Sequence, residues 1–223
     1  MKKSAVEQAD QLAIALELLK DPQAKNRVAA AKRLRKLADP KAGAPLLAAL
    51  KKEVLDSRTW SAQYAMTLAL GFCKYRPALP FLWEFARTEL EHTITYLGLG
   101  DAIVRIQHCS ANDATPILEI IKTKRYMMVH GAFRAMAMLQ MVPSADEIAK
   151  ILQVAELKEA VKAVQGYPND LVGLRCWVAA AAAGWPSELV EAFLRRGLLI
   201  NDSQLKLAAE QALNRKYVKW EPY

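Results

Sequence analysis

Residues Asn26–Leu50 read NRVAAAKRLRKLADPKAGAPLLAAL, and this stretch decides the fold. Val28, Ala31, Leu34 and Leu37 recur at helical spacing and share one face, while Arg27, Lys32, Arg35 and Lys36 lie off it. Asp39-Pro40 and Gly43 are expected to break that helix. Pro45 then stands in a first helical turn, where a missing N–H costs nothing, and Leu46, Leu47 and Leu50 restart an apolar face. The stretch therefore predicts two short helices folded back on each other.

The scheme recurs. Pro45, Pro80 and Pro116 stand 35 and 36 residues apart, and Pro186 follows 70 residues after Pro116. A fixed period of roughly 20–50 residues marks a repeat array. The second unit places Ala62, Ala65, Met66 and Ala69 in its first helix, Gly71 and Arg76-Pro77 at the break, and Pro80, Phe81, Leu82 and Phe85 in its second. The third pairs Ala102, Ile103 and Ile106 with Pro116-Ile117-Leu118 across the loop Ser110–Asp113. The fourth uses Gly131, Ala132, Ala135 and Leu139, then Pro143-Ser144 as turn and cap, then Ile148, Ile151 and Leu152. After an irregular stretch the fifth runs from Leu171 to Phe193, turning at Trp185-Pro186-Ser187.

These units resemble the HEAT-repeat family, its short bacterial variants most of all, in the Arg-Val start, Ala-rich first helix, Asp-Pro turn and Pro-Leu-Leu second helix. The Trp…Leu-Gly…Tyr pattern of tetratricopeptide repeats and the Thr-Pro-Leu-His of ankyrin repeats are absent. The resemblance implies an all-α, right-handed α-solenoid of about five helical hairpins between capping helices. As a single domain over 1–223, it would comprise a cap helix (1–22), four repeats (23–155), an insert (156–170), a last repeat with cap helix (171–214) and a basic-aromatic tail (215–223). Asn169 or Asp170 would cap the fifth repeat.

Composition agrees with a folded helical protein: 53% hydrophobic and 24% charged residues, with only 9 Gly, and no Asn-Gly or Asp-Gly hairpin signal. Lys2-Lys3 is followed by Glu7, Asp10 and Glu17, which interrupt any export signal. The apolar run Val178–Trp185 is too short to span a bilayer. Three cysteines, Cys73, Cys109 and Cys176, sit among apolar residues and read as reduced core positions. A cytoplasmic, non-membrane location is expected.

The net charge of +8 is uneven. Residues 1–60 hold 13 Lys/Arg against 7 Asp/Glu, a net +6, leaving +2 for the rest. The basic residues Lys25, Arg27, Lys32, Arg33, Arg35 and Lys36 concentrate in the first repeat. A second set is Lys122, Lys124 and Arg125, and a third is the tail, where Arg215, Lys216 and Lys219 alternate with Tyr217 and Trp220. Cations interleaved with rings suit nucleic acid or an acidic protein surface equally.

Catalytic signals are sparse. His92, His108 and His130 are far apart, and no Cys-x-x-Cys or His-x-x-x-His occurs. His108 and Cys109 are adjacent, so on a helix they would diverge by about 100°. Gly98-Leu99-Gly100 lacks the endings of a phosphate loop and reads as small residues that let helices approach. No cofactor or metal is expected. The chain is also similar in length and repeat type to the alkylpurine DNA glycosylases built of HEAT-like repeats, whose tryptophans and an aspartate cradle the damaged nucleotide. Trp60, Trp83, Trp177, Trp185, Asp101 and Asp170 are the residue types such a site needs, but no motif aligns them.

In HEAT arrays the second helices line the concave side. That implies a partner-binding set of Lys52, Trp83, Arg87, Glu119, Lys122 and Lys150, with Trp83 off the apolar stripe of Leu79, Leu82 and Phe85. The expected function is non-enzymatic protein–protein binding, as scaffold, adaptor or toxin-neutralising partner, with nucleic-acid binding the alternative.

Overall fold

The computed structural model describes residues 5–90, 92–164 and 173–219. All regular structure among them is helical. Contacts divide the chain into two units, the first ending at Gln107 and the second beginning at His108.

The first unit opens with α1 (Ala5–Leu18) and α2 (Ala24–Leu37). α2 buries Ala30, Ala31 and Leu34; of the face expected from helical spacing, Ala31 and Leu34 are buried and Val28 and Leu37 half-buried. It ends at Ala38, whose φ of 50° is left-handed. Asp39 then accepts from the Lys41 backbone N–H, and Pro40–Ala42 form a single 3-10 turn into α3 (Gly43–Glu53). Asp56 accepts likewise from the Arg58 backbone N–H at the 3-10 turn Ser57–Thr59 before α4 (Trp60–Phe72), whereas the 3-10 turn Arg76–Ala78 before α5 (Leu79–Arg87) has no side-chain cap, and Pro80 stands in the first turn of α5. α6 (Ile94–Gln107) closes the unit. Within it α2 packs on α4 and α4 on α6, while α3 lies against α4 and α5 against α6.

Gly43 and Gly71 are not the helix breakers the sequence suggests. Gly43 starts α3, and a Cβ there would clash with the Tyr75 ring. Gly71 lies inside α4, where a Cβ would come within 2.7 Å of the Ala102 Cα on α6. Gly98 on α6 meets Tyr64 of α4 in the same way, at 2.8 Å, so small residues do let these helices approach. The breaks are made instead by Ala38 and Lys74, both at left-handed φ.

The second unit contains α7 (Thr115–Lys122), α8 (Tyr126–Met138), α9 (Ala145–Glu156), α10 (Lys158–Val164), α11 (Leu174–Ala181), α12 (Ser187–Leu199) and α13 (Ser203–Leu213). α9 lacks the proline of its counterparts and starts on a capping box: Ser144 and Glu147 satisfy each other's backbone N–H groups. α8 packs on α11, and α11 and α12 on α13. Trp177 and Trp185 fill this core, 1% and 0% exposed. The proposed cap at Asn169 or Asp170 and the start of the fifth repeat at Leu171 lie outside the described residues.

Ala31 and Ala180 are buried, as are Cys73 and Cys176. Cys109 is not: α6 stops at Gln107, so His108 and Cys109 fall in the following loop and the thiol is exposed. No described helix is long and apolar enough to cross a membrane.

Candidate binding surface

The six positions expected to face a partner fall on four helices. In the first unit, α3 turns Leu46, Leu50 and Glu53 inward, leaving Lys51 and Lys52 exposed in its last turn. α5 buries Leu82, Phe85 and Ala86, so Trp83 falls off that stripe and is half-buried, with Arg87 exposed one turn on. The Lys51 ammonium lies 5.5 Å from the centroid of the Phe81 ring, which itself stacks on Phe85 at 6.0 Å. That contact links the last turn of α3 to the first turn of α5.

In the second unit, α7 buries Pro116, Ile117 and Ile120 and leaves Glu119 and Lys122 exposed. α9 buries Ile148, Ile151 and Ala155 and leaves Lys150 exposed. α7 and α9 contact each other. The structure therefore groups Lys52, Trp83 and Arg87 in one unit, and Glu119, Lys122 and Lys150 in the other.

The basic set of the first repeat divides by role. Lys25, Lys32, Arg33 and Lys36 are exposed on α2, a helix with no acidic residue. Arg27 is committed to structure. Its Nε and Nη2 donate to the Glu53 carboxylate, whose side chain is 5% exposed, and its Nη1 donates to the Asp21 and Pro22 carbonyls at 2.8 Å each. The Glu53 hydrogen bond raises the Arg27 pKa further above its ordinary value. Arg35 is half-buried with its guanidinium 5.7 Å from the Phe72 centroid. In the tail, Lys216 and Lys219 are exposed, but Arg215 donates to the Trp185 carbonyl and the Tyr217 hydroxyl sits against Gly184. Trp220 lies outside the described residues.

Of the residue types a glycosylase-like site needs, Trp60 is exposed with its ring 5.4 Å from that of His92 and Trp83 is half-buried, while Asp101, Trp177 and Trp185 are buried. Asp101, 1% exposed, accepts from Arg105 Nε at 2.5 Å, and that guanidinium also covers the Phe72 ring at 4.2 Å. His130 is fully buried and takes the Trp177 indole N–H on Nε2 at 3.0 Å, which places a neutral ring's proton on Nδ1. Trp185 donates to the Met141 carbonyl at 2.8 Å. Burial, reinforced by the Asp39 carboxylate, pushes the Cys73 thiol up to about 11, so at neutral pH it carries its proton. Asp170 lies outside the described residues. No group of three or more His, Cys, Asp or Glu suited to a metal ion occurs among the described residues.

Sequence reading missed one feature, an open depression of about 540 Å³ between α1 and α2. Gln8, Gln11 and Ile14 form one wall, and Arg33, Lys36 and Leu37 the other. Its signal in the sequence is Ile14, an isoleucine off the Ala15–Leu19 edge that α1 buries. No protein-family model matches the chain, and no curated protein or solved structure matches it.

Proposed function

We propose that the protein is a non-enzymatic protein-binding module built as a HEAT-like, right-handed α-solenoid, its second helices forming the binding face. The succession of contacts between first helices, α2–α4–α6 in the first unit and α8–α11 in the second, with the closing helix α13 against α11, supports the repeat reading. The observation that carries the function is the outer face of α3 and α5. Lys51 bridges to Phe81, and on these same helices the half-exposed Trp83 is accompanied by exposed Lys52 and Arg87. A large, rigid aromatic accompanied by cations is the composition of an interface hot spot for an acidic protein surface. Scaffold, adaptor and toxin-neutralising roles all use such a face, and a cytoplasmic protein partner is the occupant proposed.

Affinity capture from native lysate with the wild-type chain and with Trp83→Ala tests this. One protein should be retained at physiological salt, with affinity about thirtyfold weaker for Trp83→Ala. The exposed cations of α2 favour nucleic acid as the second reading. In that case duplex or single-stranded DNA or RNA would shift in a gel at physiological salt with a steep salt dependence, and Trp83→Ala would leave protein capture unaltered.

A further inference from the structure

We propose that the groove between α1 and α2 docks an acidic amphipathic helix of a protein partner. This rests on the protein-binding reading but uses a different surface from Trp83. Its apolar lining is open: Ile14 on one wall is 58% exposed, and Leu37 on the other is half-buried. A helix with more apolar side chain than its own packing covers leaves a place for someone else's. Leu12, Leu16 and Leu18 of α1 are also only half-buried.

The walls specify the visitor. Gln8, Gln11 and Ile14 follow at three-residue spacing along one stripe of α1, about 9 Å from end to end at 1.5 Å per residue. Arg33 and Lys36 make the corresponding stripe on α2, one turn apart and exposed. Neither has a carboxylate partner among the described residues, and α2 supplies none of its own. Two turns of guest helix with apolar side chains at i and i+3 or i+4, flanked by carboxylates, match this arrangement in length, apolar lining and charge. A second copy of the chain matches poorly, since residues 1–60 alone carry +6 and like charges repel. Nucleic acid matches poorly too, because no ring lines the groove to stack on a base.

Fluorescence anisotropy with the full chain tests the proposal. The probe is a fluorescein-labelled helical peptide of about fifteen residues, with Leu at i, i+3, i+4 and i+7 and Glu on the flanks. A twin with Lys replacing Glu and a single-stranded DNA serve as competitors. Saturable binding of the Glu peptide is expected, weakened at least about tenfold by Arg33→Glu with Lys36→Glu and by Ile14→Asp, with Ile14→Gln as the milder variant. Lys41→Glu with Lys158→Glu, the same change in net charge at residues that do not line the groove, is expected to leave it within about twofold. Absence of binding, equal binding of the Lys twin, equal loss in the remote charge reversal, or displacement by DNA would each overturn the groove assignment. The two readings fail separately. Protein capture that depends on Trp83 while the peptide stays unbound removes the groove and leaves the binding face. Peptide binding without any Trp83-dependent capture does the reverse.

Discussion

In the first unit two buried carboxylates, Glu53 and Asp101, are each bonded to an arginine, and Arg105 and Arg35 both lie over the Phe72 ring. In the second unit the two buried tryptophans are tied by neutral hydrogen bonds, Trp177 to His130 and Trp185 to the Met141 carbonyl. The helical hairpins are similar, but their polar interiors differ in kind. An ion pair taken out of water is stabilising only while both members remain. An indole N–H paired with a carbonyl depends instead on the volume around it, because the ring's burial contributes more than its hydrogen bond.

The sharpest way to break this comparison is to remove one member on each side and then attempt a rescue. Trp185→Ala should lower stability by about 3–5 kcal/mol through the cavity it leaves, and Trp185→Phe should recover only part, since the Met141 carbonyl loses its donor. Arg27→Ala should cost about 3 kcal/mol, because Glu53 is left charged and buried. Adding Glu53→Gln should return much of that loss. Urea denaturation followed by circular dichroism reads all four variants. A double variant no more stable than Arg27→Ala would show that Arg27 acts through packing and its bonds to the Asp21 and Pro22 carbonyls, not through charge.

A smaller effect belongs to the first unit alone. The Cys73 thiol is held at about 11 in the fold, against 9.0 for an ordinary thiol, first by burial and then by the Asp39 carboxylate. Between those values the folded chain keeps a proton that the unfolded chain has released. Its contribution is therefore fully present below pH 9 and is lost as pH rises through 11. A two-unit shift corresponds to at most about 2–3 kcal/mol at 1.36 kcal/mol per unit, and to less where solvent screens the thiolate. The unfolding free energy of the wild type relative to Cys73→Ala, read from urea titrations, should fall by up to that amount from pH 8.5 to pH 11.5, since other titrating groups cancel in the difference. A difference independent of pH would mean that water reaches the thiol.

Much of the helix order was legible because prolines and Asx residues act locally. Pro80 and Pro116 open helices, Ser144 caps one, and Asp39 turns a corner, each within three residues of its effect. Gly43 and Gly71 misled for the opposite reason. Their role is a contact with Tyr75 and with Ala102, and nothing in their neighbours along the chain announces it. The same limit hid the fate of Arg27, whose partner Glu53 lies 26 residues away. It hid the α1–α2 groove as well, since the exposure of Ile14 depends on how two helices meet and not on either one's periodicity. Trp83 lies off the buried stripe of Leu82, Phe85 and Ala86 and is half-buried, on a helix whose short apolar pattern makes its sides easy to tell apart.

The helix ends supply the smallest test, and here the two units should agree. α4 and α8 both stop on a non-glycine residue in left-handed geometry, Lys74 at φ 51° and Gln140 at φ 52°. Each is followed by the long return bond of a Schellman motif, from Tyr75 N–H to the Leu70 carbonyl at 3.3 Å and from Met141 N–H to the Met136 carbonyl at 3.1 Å. The residue after the left-handed position is anchored in both cases, Tyr75 against Gly43 and Met141 in the core. The motif is thus fixed by its flanks, and the side chains at 74 and 140 are exposed bystanders. A Cβ in this conformation costs roughly 1–2 kcal/mol, part of which glycine gives back through the greater freedom of its unfolded chain. Lys74→Gly and Gln140→Gly should each therefore stabilise by about 0.5–1 kcal/mol. The gains should add in the double variant, because the sites share no partner. Equal, additive increases in the denaturation midpoint would establish one helix-ending device used in both units. A gain at one site with a loss at the other would show that the lysine or the glutamine holds something its backbone does not.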